Sequence, residues 1–279
     1  MGGNTWVPQL LKDTRWRLHS SEDAEQLDLA VIGAREMLTK AATMTATLTY
    51  VGVDKVATVR VTNETGHKLP TGYAEGRRMW LQLVAYNAAN EVVYTSGAYN
   101  AATGELTLDP AMKVYEVHQG LTPELADLLK LDAGPSFHFV LNNTVYKDNR
   151  IPPRGYTQAA YDQPGLRPVE ATYVDGQHWD ETAYPVPVET MRVEAKLFYQ
   201  TASKEYIDFL RDRSADGAAL GQLWDTSKSP PELMVAATAN LSGSPATPTP
   251  TPTATPMVTP TPTPIGNTNA TLYLPVVTK

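Results

Sequence analysis

The densest group of residues that could do chemistry is the loop at 63–73, which reads NETGHKLPTGY. Its glycines permit positive φ angles and close backbone approach, and Pro70 stiffens the turn. A simple loop between two strands would not need this many turn-forming residues. His67 lies where an imidazole could face a transition metal, and the alternative is a loop histidine with ordinary hydrogen bonds.

A second polar loop follows at 175–181, with the sequence DGQHWDE. Asp175 and Asp180 supply oxygen ligands of the kind that calcium prefers, although their spacing is not that of an EF-hand. His178 could join His67 at a transition metal. The alternative interpretation is a solvated acidic turn.

Basic side chains accompany rigid prolines at 146–154, which reads YKDNRIPPR. The guanidinium groups of Arg150 and Arg154 could each bind a carboxylate of a ligand through two hydrogen bonds. They could equally be tied to loop carbonyls and to Asp148.

Composition excludes several classes of function. The 279 residues include no cysteine, which excludes disulfides, a cysteine nucleophile, thiolate metal sites and covalent c-type haem attached through this chain. A net charge of −7 without a basic run predicts no nucleic-acid partner. No stretch of 18 apolar residues predicts a transmembrane helix, and no nucleophile elbow, P-loop, dinucleotide fingerprint or zinc-protease motif is present. The chain therefore offers no positive evidence of catalysis.

The elements that must position these loops are mainly strands. Apolar residues at spacings of three and four predict a helix over 21–42, with Ser20 or Ser21 as its N-cap. Alternation with period two then predicts antiparallel strands near 58–62, 81–86 and 191–199, with shorter ones at 91–96, 113–118 and 136–141. Short helices are expected after Thr122 and Ser203. The sequence predicts a mainly β protein, an antiparallel β-sandwich with an N-terminal helix and one or two helical inserts.

Four segments are predicted along the chain: an N-terminal helical segment, 1–44; the β-sandwich, 45–240; a Thr/Pro-rich linker, 241–270; and an apolar tail, 271–279. Proline and threonine alternate in the linker, which predicts an extended polyproline II spacer of the kind found in extracellular stalks. We therefore expect an extracellular or cell-surface location, with attachment through the tail. No signal-peptide pattern opens the chain, and one expectation is that Met1 lies inside a longer reading frame.

An ordered series of motifs carries a resemblance to a known family: 66–73 (GHKLPTGY), 77–81 (RRMWL), 94–99 (YTSGAY), 113–116 (KVYE), 136–143 (SFHFVLNN), 146–156 (YKDNRIPPRGY), 175–179 (DGQHW) and 199–206 (YQTASKEY). Over residues 2–235 the chain resembles the C-terminal non-haem β domain of exported multihaem c-type cytochromes. Those cytochromes carry Cys-x-x-Cys-His motifs, which this chain lacks. The resemblance therefore implies a domain that contacts haems supplied by another segment or chain.

Three functions are compatible with these sequence features. The first is the non-haem β domain of a multihaem electron-transfer protein, capping a haem through His67 and meeting haem propionates through Arg150 and Arg154. The second is an independent cell-surface module that binds carbohydrate or protein, with Trp80, Trp179 and Tyr184 as an aromatic platform. The third is a metal-dependent enzyme that uses His67 with His178 or an acidic partner.

Overall fold

The computed structural model describes residues 3–14, 20–71 and 76–245. The chain divides into one compact unit, Met1–Ala246, and a second, Thr247–Lys279, which lies outside the described residues. The predicted tail and all but the first residues of the predicted linker fall in that second part. Gly72 and Tyr73 of the His67 loop also lie outside the described residues.

The described residues form five helices: α1 (Trp6–Thr14), α2 (Ser21–Ala41), α3 (Pro123–Leu129), α4 (Lys204–Arg211) and α5 (Ala215–Ser227). Helix α2 confirms the predicted helix, and Ser20 caps it in a reciprocal capping box with Asp23. Thr122 and Ser203 cap α3 and α4, as their sequences predict. None of the described helices is long and apolar enough to span a membrane.

The strands are more numerous and mostly antiparallel: β1 (Ala42–Val51), β2 (Asp54–Asn63), β3 (Arg78–Tyr86), β4 (Val92–Ser96), β5 (Tyr99–Asn100), β6 (Glu105–Leu106), β7 (Val114–Tyr115), β8 (Val117–Leu121), β9 (Gly134–Pro135), β10 (Thr144–Asp148), β11 (Trp179–Val186), β12 (Arg192–Gln200) and β13 (Glu232–Ser242). The prediction of a mainly β fold with an N-terminal helix and short helical inserts is confirmed.

The largest sheet has the order β11-β2-β1-β13-β12-β3-β4, and β7 also pairs with β3. Its two antiparallel halves, β11-β2-β1 and β13-β12-β3-β4, meet at a short pairing of β1 with β13 that is parallel rather than antiparallel. The pairing is parallel because α4 and α5 return the chain to the end where β12 finished, so β13 starts where β1 starts. Two small sheets, β10-β8-β9 and β5-β6, flank this framework.

Alternating apolar residues of both halves meet in one core. On β2 the buried residues include Val59 and Val61, on β3 Leu81 and Leu83, and on β12 Leu197, and all belong to the same hydrophobic cluster. Each fully buried aliphatic side chain of this size contributes about 1.5–3 kcal/mol relative to exposure. The halves therefore close over a shared core in the manner of a sandwich.

Six of the strands begin or end at one edge of this core, which we call the loop end. Ala42 opposes Asn63, Thr62 opposes Trp179, Arg78 opposes Gln200, and Tyr199 opposes Glu232, which defines the edge by register. Segments 64–71, 149–178 and 201–231 all leave or enter the sheet here. The loop end therefore collects residues that lie far apart in the sequence.

The strand predicted at 136–141 is wrong. These residues form a turn, in which the backbone amides of Leu141 and Asn142 donate to the carbonyl of His138. The rings of Phe137 and His138 both pack on Phe209 of α4, at centroid distances of 5.4 and 5.1 Å. The alternation of aromatic residues therefore reflects contact with a distant helix and not a pleated strand.

Candidate functional site

Asn63 ties the His67 loop to the segment after β10. Its side chain is fully buried and donates to the carbonyls of His67, Ile151 and Pro152, at 2.7, 2.9 and 3.0 Å. Its Oδ1 accepts from the amide and the hydroxyl of Thr65. Leu69 and Ile151 exchange two backbone hydrogen bonds beside it. The buried side chain of Asn63 therefore fixes the backbone of both segments at the loop end.

A buried ion cluster lies next to this junction. Lys68 donates from Nζ to Asp148 Oδ2 at 2.7 Å, and Arg150 binds the same carboxylate through Nε and Nη2, at 2.8 and 2.7 Å. The Asp148 side chain is fully buried, and those of Lys68 and Arg150 are 8% and 14% exposed. Burial lowers the pKa of Lys68, and the nearby Asp148 carboxylate partly offsets this effect. Two cations share one carboxylate in this cluster, and Lys68 Nζ also donates to the carbonyl of Leu166, so the cluster fastens segment 149–178.

The two arginines predicted to meet a carboxylate of a ligand already have protein partners. Arg150 forms the fork with Asp148, and Arg154, whose side chain is largely exposed, donates from Nη2 to Glu64 at 3.0 Å. The Asp148 partner was within reach of the sequence interpretation, since it is two residues from Arg150, whereas Glu64 lies 90 residues from Arg154 and was not. Binding of propionates by these arginines stays a prediction.

His67 is exposed at the loop end, and its ring is oriented by its own loop. Nδ1 lies 3.2 Å from the carbonyl oxygen of Lys68 and 3.1 Å from Thr65 Oγ1. A carbonyl can only accept, so in the neutral ring this contact favours the tautomer with the hydrogen on Nδ1 and the lone pair on Nε2. Within the described part of the chain, Nε2 has no hydrogen-bond partner. An imidazole held in this way is arranged as metal-ligating histidines are.

The other predicted metal ligands lie near this end but are separately engaged. The His178 carbonyl accepts from the amide of Asn63, which brings His178 to the same end as His67, and its Nδ1 lies 3.1 Å from Gly176 O. Asp175 accepts from the amide of Gln158. Within residues 3–14, 20–71 and 76–245, no three His, Cys, Asp or Glu side chains are grouped so that they could hold a metal ion.

Asp180 faces inward rather than toward the other predicted ligands. Its Oδ2 accepts from the hydroxyl of Tyr115 at 3.0 Å and from Lys113 Nζ at 2.9 Å. Tyr115 is fully buried, and burial together with the Asp180 charge raises the pKa of its phenol. This arrangement gives Asp180 structural partners, and a calcium role for it stays a prediction.

The three residues considered as an aromatic platform do not share an exposed surface. Trp80 and Tyr184 are fully buried, and Trp80 stacks on Phe198 at a centroid distance of 5.5 Å. Trp179 is half-buried, with the guanidinium of Arg60 5.0 Å from its ring centroid. Trp80 and Tyr184 belong to the interior.

An apolar cavity at the loop end is one that the sequence interpretation missed. This cavity, the Arg77 groove, has a volume of about 540 Å³ and lies between α1, α4 and the turn at 139–140. Its lining includes Trp6, Arg77, Phe139, Val140 and Tyr206. The Val140 side chain is 97% exposed. Because these residues come from four separate parts of the chain, no local pattern could have indicated the groove.

No family model matches this chain, and no curated protein matches it either. One solved structure that it resembles is a penta-heme cytochrome c552 from Thermochromatium tepidum, with a TM-score of 0.44 and 18% sequence identity. The matched region covers 73% of this chain and 40% of that cytochrome, so the chain spans less than half the length of the protein that it matches.

Proposed function

We propose that this chain is a haem-free β domain of an extracellular multihaem cytochrome c-type electron-transfer protein. Its role is to pack on haems that another segment or another chain supplies. The chain has no cysteine and cannot attach a c-type haem by itself. It would act as a structural and capping component, and it is assigned no catalytic step of its own.

The observation that carries the proposal is the convergence of the family-like motifs. Those at 66–71, 77–81, 146–156, 175–179 and 199–206 are distant in sequence, yet all begin, end or turn at the loop end. A domain that contacts a partner through one surface is expected to concentrate its distinctive loops there. The same end carries the exposed imidazole of His67 and the Arg77 groove.

His67 supports a capping role within this proposal. The residue is exposed, and its Nδ1 lies beside the Lys68 carbonyl, an arrangement that in the neutral ring leaves the lone pair on Nε2. Haem iron commonly takes an axial imidazole, and a second hydrogen bond fixes the orientation of such a ring. The imidazole would occupy one axial position of a haem in the partner module.

The proposal also places the protein at the cell surface. The Thr/Pro-rich sequence at 245–264 is the composition of extracellular stalks, and the apolar residues at 272–277 would attach or sort the protein at the cell surface. In this arrangement the stalk would hold the β domain and its haem module away from the surface.

Site-directed cross-linking tests the proposal. Because the chain contains no cysteine, an introduced cysteine is its single labelling site. Val140→Cys places a photoactivatable label at the loop end, and Val188→Cys places the same label between β11 and β12, at the opposite end of the sheet. Both side chains are largely exposed, at 97% and 74%. Each tagged variant is expressed in the cells that make the protein, and cross-linked products are stained for haem.

The proposal predicts a haem-stained product from the Val140→Cys variant and little or none from Val188→Cys. Equal products from both variants would show contact without the proposed orientation. No haem-stained product from either variant would contradict the proposed function.

A further inference from the structure

The walls of the Arg77 groove are apolar and aromatic. Phe139 stacks on Tyr206 with a centroid distance of 5.6 Å and an interplanar angle of 29°. Phe137 packs on Tyr206 and on Phe209 of the same helix, next to the groove but outside its lining. Because a soluble surface rarely concentrates aromatic residues without a partner, the groove is suited to an apolar ligand surface.

Val140 extends this apolar surface to the rim. It lies beside Phe139 in the turn and is almost fully exposed. Removing such a side chain from water favours an association. The rim therefore favours a partner that covers it.

Arg77 is the only charged residue among the described residues that line the groove. Its Nη1 makes a long contact, 3.4 Å, with the carbonyl of Thr71, and the guanidinium also lies beside the buried hydroxyl of Tyr199. It forms no ion pair in the part of the chain that the structure describes. A guanidinium in apolar surroundings is best satisfied by a carboxylate, which it binds through two parallel hydrogen bonds.

The backbone before Arg77 is fitted to the groove wall. Gly76 has a φ of +75°, and a Cβ built on it would lie 2.4 Å from the ring of Tyr206. The Gly76 carbonyl accepts from the amide of Ser203 at 2.7 Å, at the start of α4. Only glycine permits this close approach, which fixes where the Arg77 side chain leaves the backbone.

We infer that the Arg77 groove receives the propionate-bearing edge of a haem from the partner module. The carboxylate would bind the Arg77 guanidinium, and the apolar macrocycle would lie against Phe139, Val140 and Tyr206. This inference rests on the proposed function, and charge complementarity selects the occupant. It also moves the propionate contact from Arg150 and Arg154, which hold Asp148 and Glu64, to an arginine that has no acidic partner among the described residues.

Metal-free protoporphyrin IX is the probe that tests the groove on the purified chain. It carries the two propionates but no iron, so no histidine can ligate it, and binding is followed by porphyrin fluorescence. The dimethyl ester of the same porphyrin removes the carboxylates and keeps the macrocycle. Circular dichroism of each variant confirms that it is folded.

The expected result is saturable binding of protoporphyrin IX that Arg77→Gln weakens by about 10-fold or more, the usual effect of losing a charge-assisted hydrogen bond. The dimethyl ester should bind wild type and Arg77→Gln alike. Arg213→Gln is the matched control, because that guanidinium stacks on Phe209 and does not line the groove. Val140→Asp should weaken binding of both porphyrins, whereas Val188→Asp should weaken neither.

Three outcomes would overturn the inference: no saturable binding, equal affinity of wild type and Arg77→Gln for the free acid, or the same loss with Arg213→Gln. Each is distinguishable from failure of the proposed function. If the cross-linking experiment finds a haem partner but the porphyrin titration does not depend on Arg77, the groove inference fails and the proposed function stands.

Discussion

The buried cluster of Lys68, Asp148 and Arg150 allows a quantitative prediction about stability. In the Asp148→Asn variant the shape of the side chain is kept, but its charge is lost. Lys68 and Arg150 then remain as buried cations without a carboxylate, and the hydrogen bonds at 2.7–2.8 Å lose their ionic component. Removing one partner of a buried ion pair typically costs about 3–5 kcal/mol. We expect Asp148→Asn to lower the free energy of unfolding by that amount.

Two comparisons separate this effect from a general effect of substitution. Lys68→Met removes one buried cation while Asp148 stays paired with Arg150, so we expect a smaller loss of about 1–2 kcal/mol. Asp162→Asn makes the same chemical change in the ion pair with Arg167, in which both side chains are mostly exposed. An exposed pair contributes about 0–1 kcal/mol, so this control should remain close to wild type.

Guanidinium chloride unfolding followed by tryptophan fluorescence measures these differences. The expected result is a lower denaturation midpoint for Asp148→Asn at an unchanged m-value, which would assign the change to stability rather than to compactness. A loss below about 1 kcal/mol, or a loss no larger than that of Asp162→Asn, would refute the physical reasoning about the cluster.

Three further predictions concern pH, packing and ligation. Burial raises the pKa of seven tyrosines, Tyr115 and Tyr173 among them, so the unfolded chain releases these protons first and the free energy of unfolding should fall as pH rises above about 10. Burial lowers the pKa of Lys68, which makes the free energy of unfolding rise with pH, but Lys68 is a single group. Tyrosinate absorbance should appear together with unfolding. Its gradual appearance in the folded protein would contradict the prediction. Trp80→Ala removes a fully buried ring and should cost about 3–5 kcal/mol in chemical denaturation, whereas a loss below 1 kcal/mol would show that the site collapses or is not packed. In the haem-containing complex, His67→Ala should convert one low-spin ferric haem to high spin in the electron paramagnetic resonance spectrum, while His178→Ala should not; an unchanged spectrum for His67→Ala would remove the capping role.

Local sequence patterns predict the elements whose partners are near in the chain. The spacing of Val31 and Leu38, with Ser20 before them, predicts α2 because an amphipathic stripe and a cap are local properties. Alternation predicts β2 and β12 for the same reason. The prediction omitted α5, although Ser214 caps it as Ser203 caps α4. It also omitted the long strands β11 and β13.

Other features depend on contacts between distant residues. The parallel pairing of Leu48 with Leu241 joins residues nearly two hundred positions apart, and no periodicity indicates it. The alternation around His138 has the appearance of a strand, because residues that pack on Phe209 satisfy the same pattern. Tertiary context overrides the local signal in both cases.

The candidate site also has one part that local sequence patterns predict and another that depends on contacts between distant residues. The loop around His67 is visible in the sequence as an unusual concentration of glycine, proline and polar residues. Lys68 is not, because its burial depends on Asp148 and on segment 149–178. The Arg77 groove depends on four segments between Trp6 and Tyr206 and can be recognised only after the fold is known.

The visible absorption spectrum of the chain isolated from the cells that make it tests the central claim most directly. The account predicts a Soret band that co-elutes with the chain through successive purification steps, and sharp α and β bands after reduction with dithionite. Homogeneous chain isolated under gentle conditions without haem absorption, from cells whose multihaem cytochromes remain in other fractions, would contradict it.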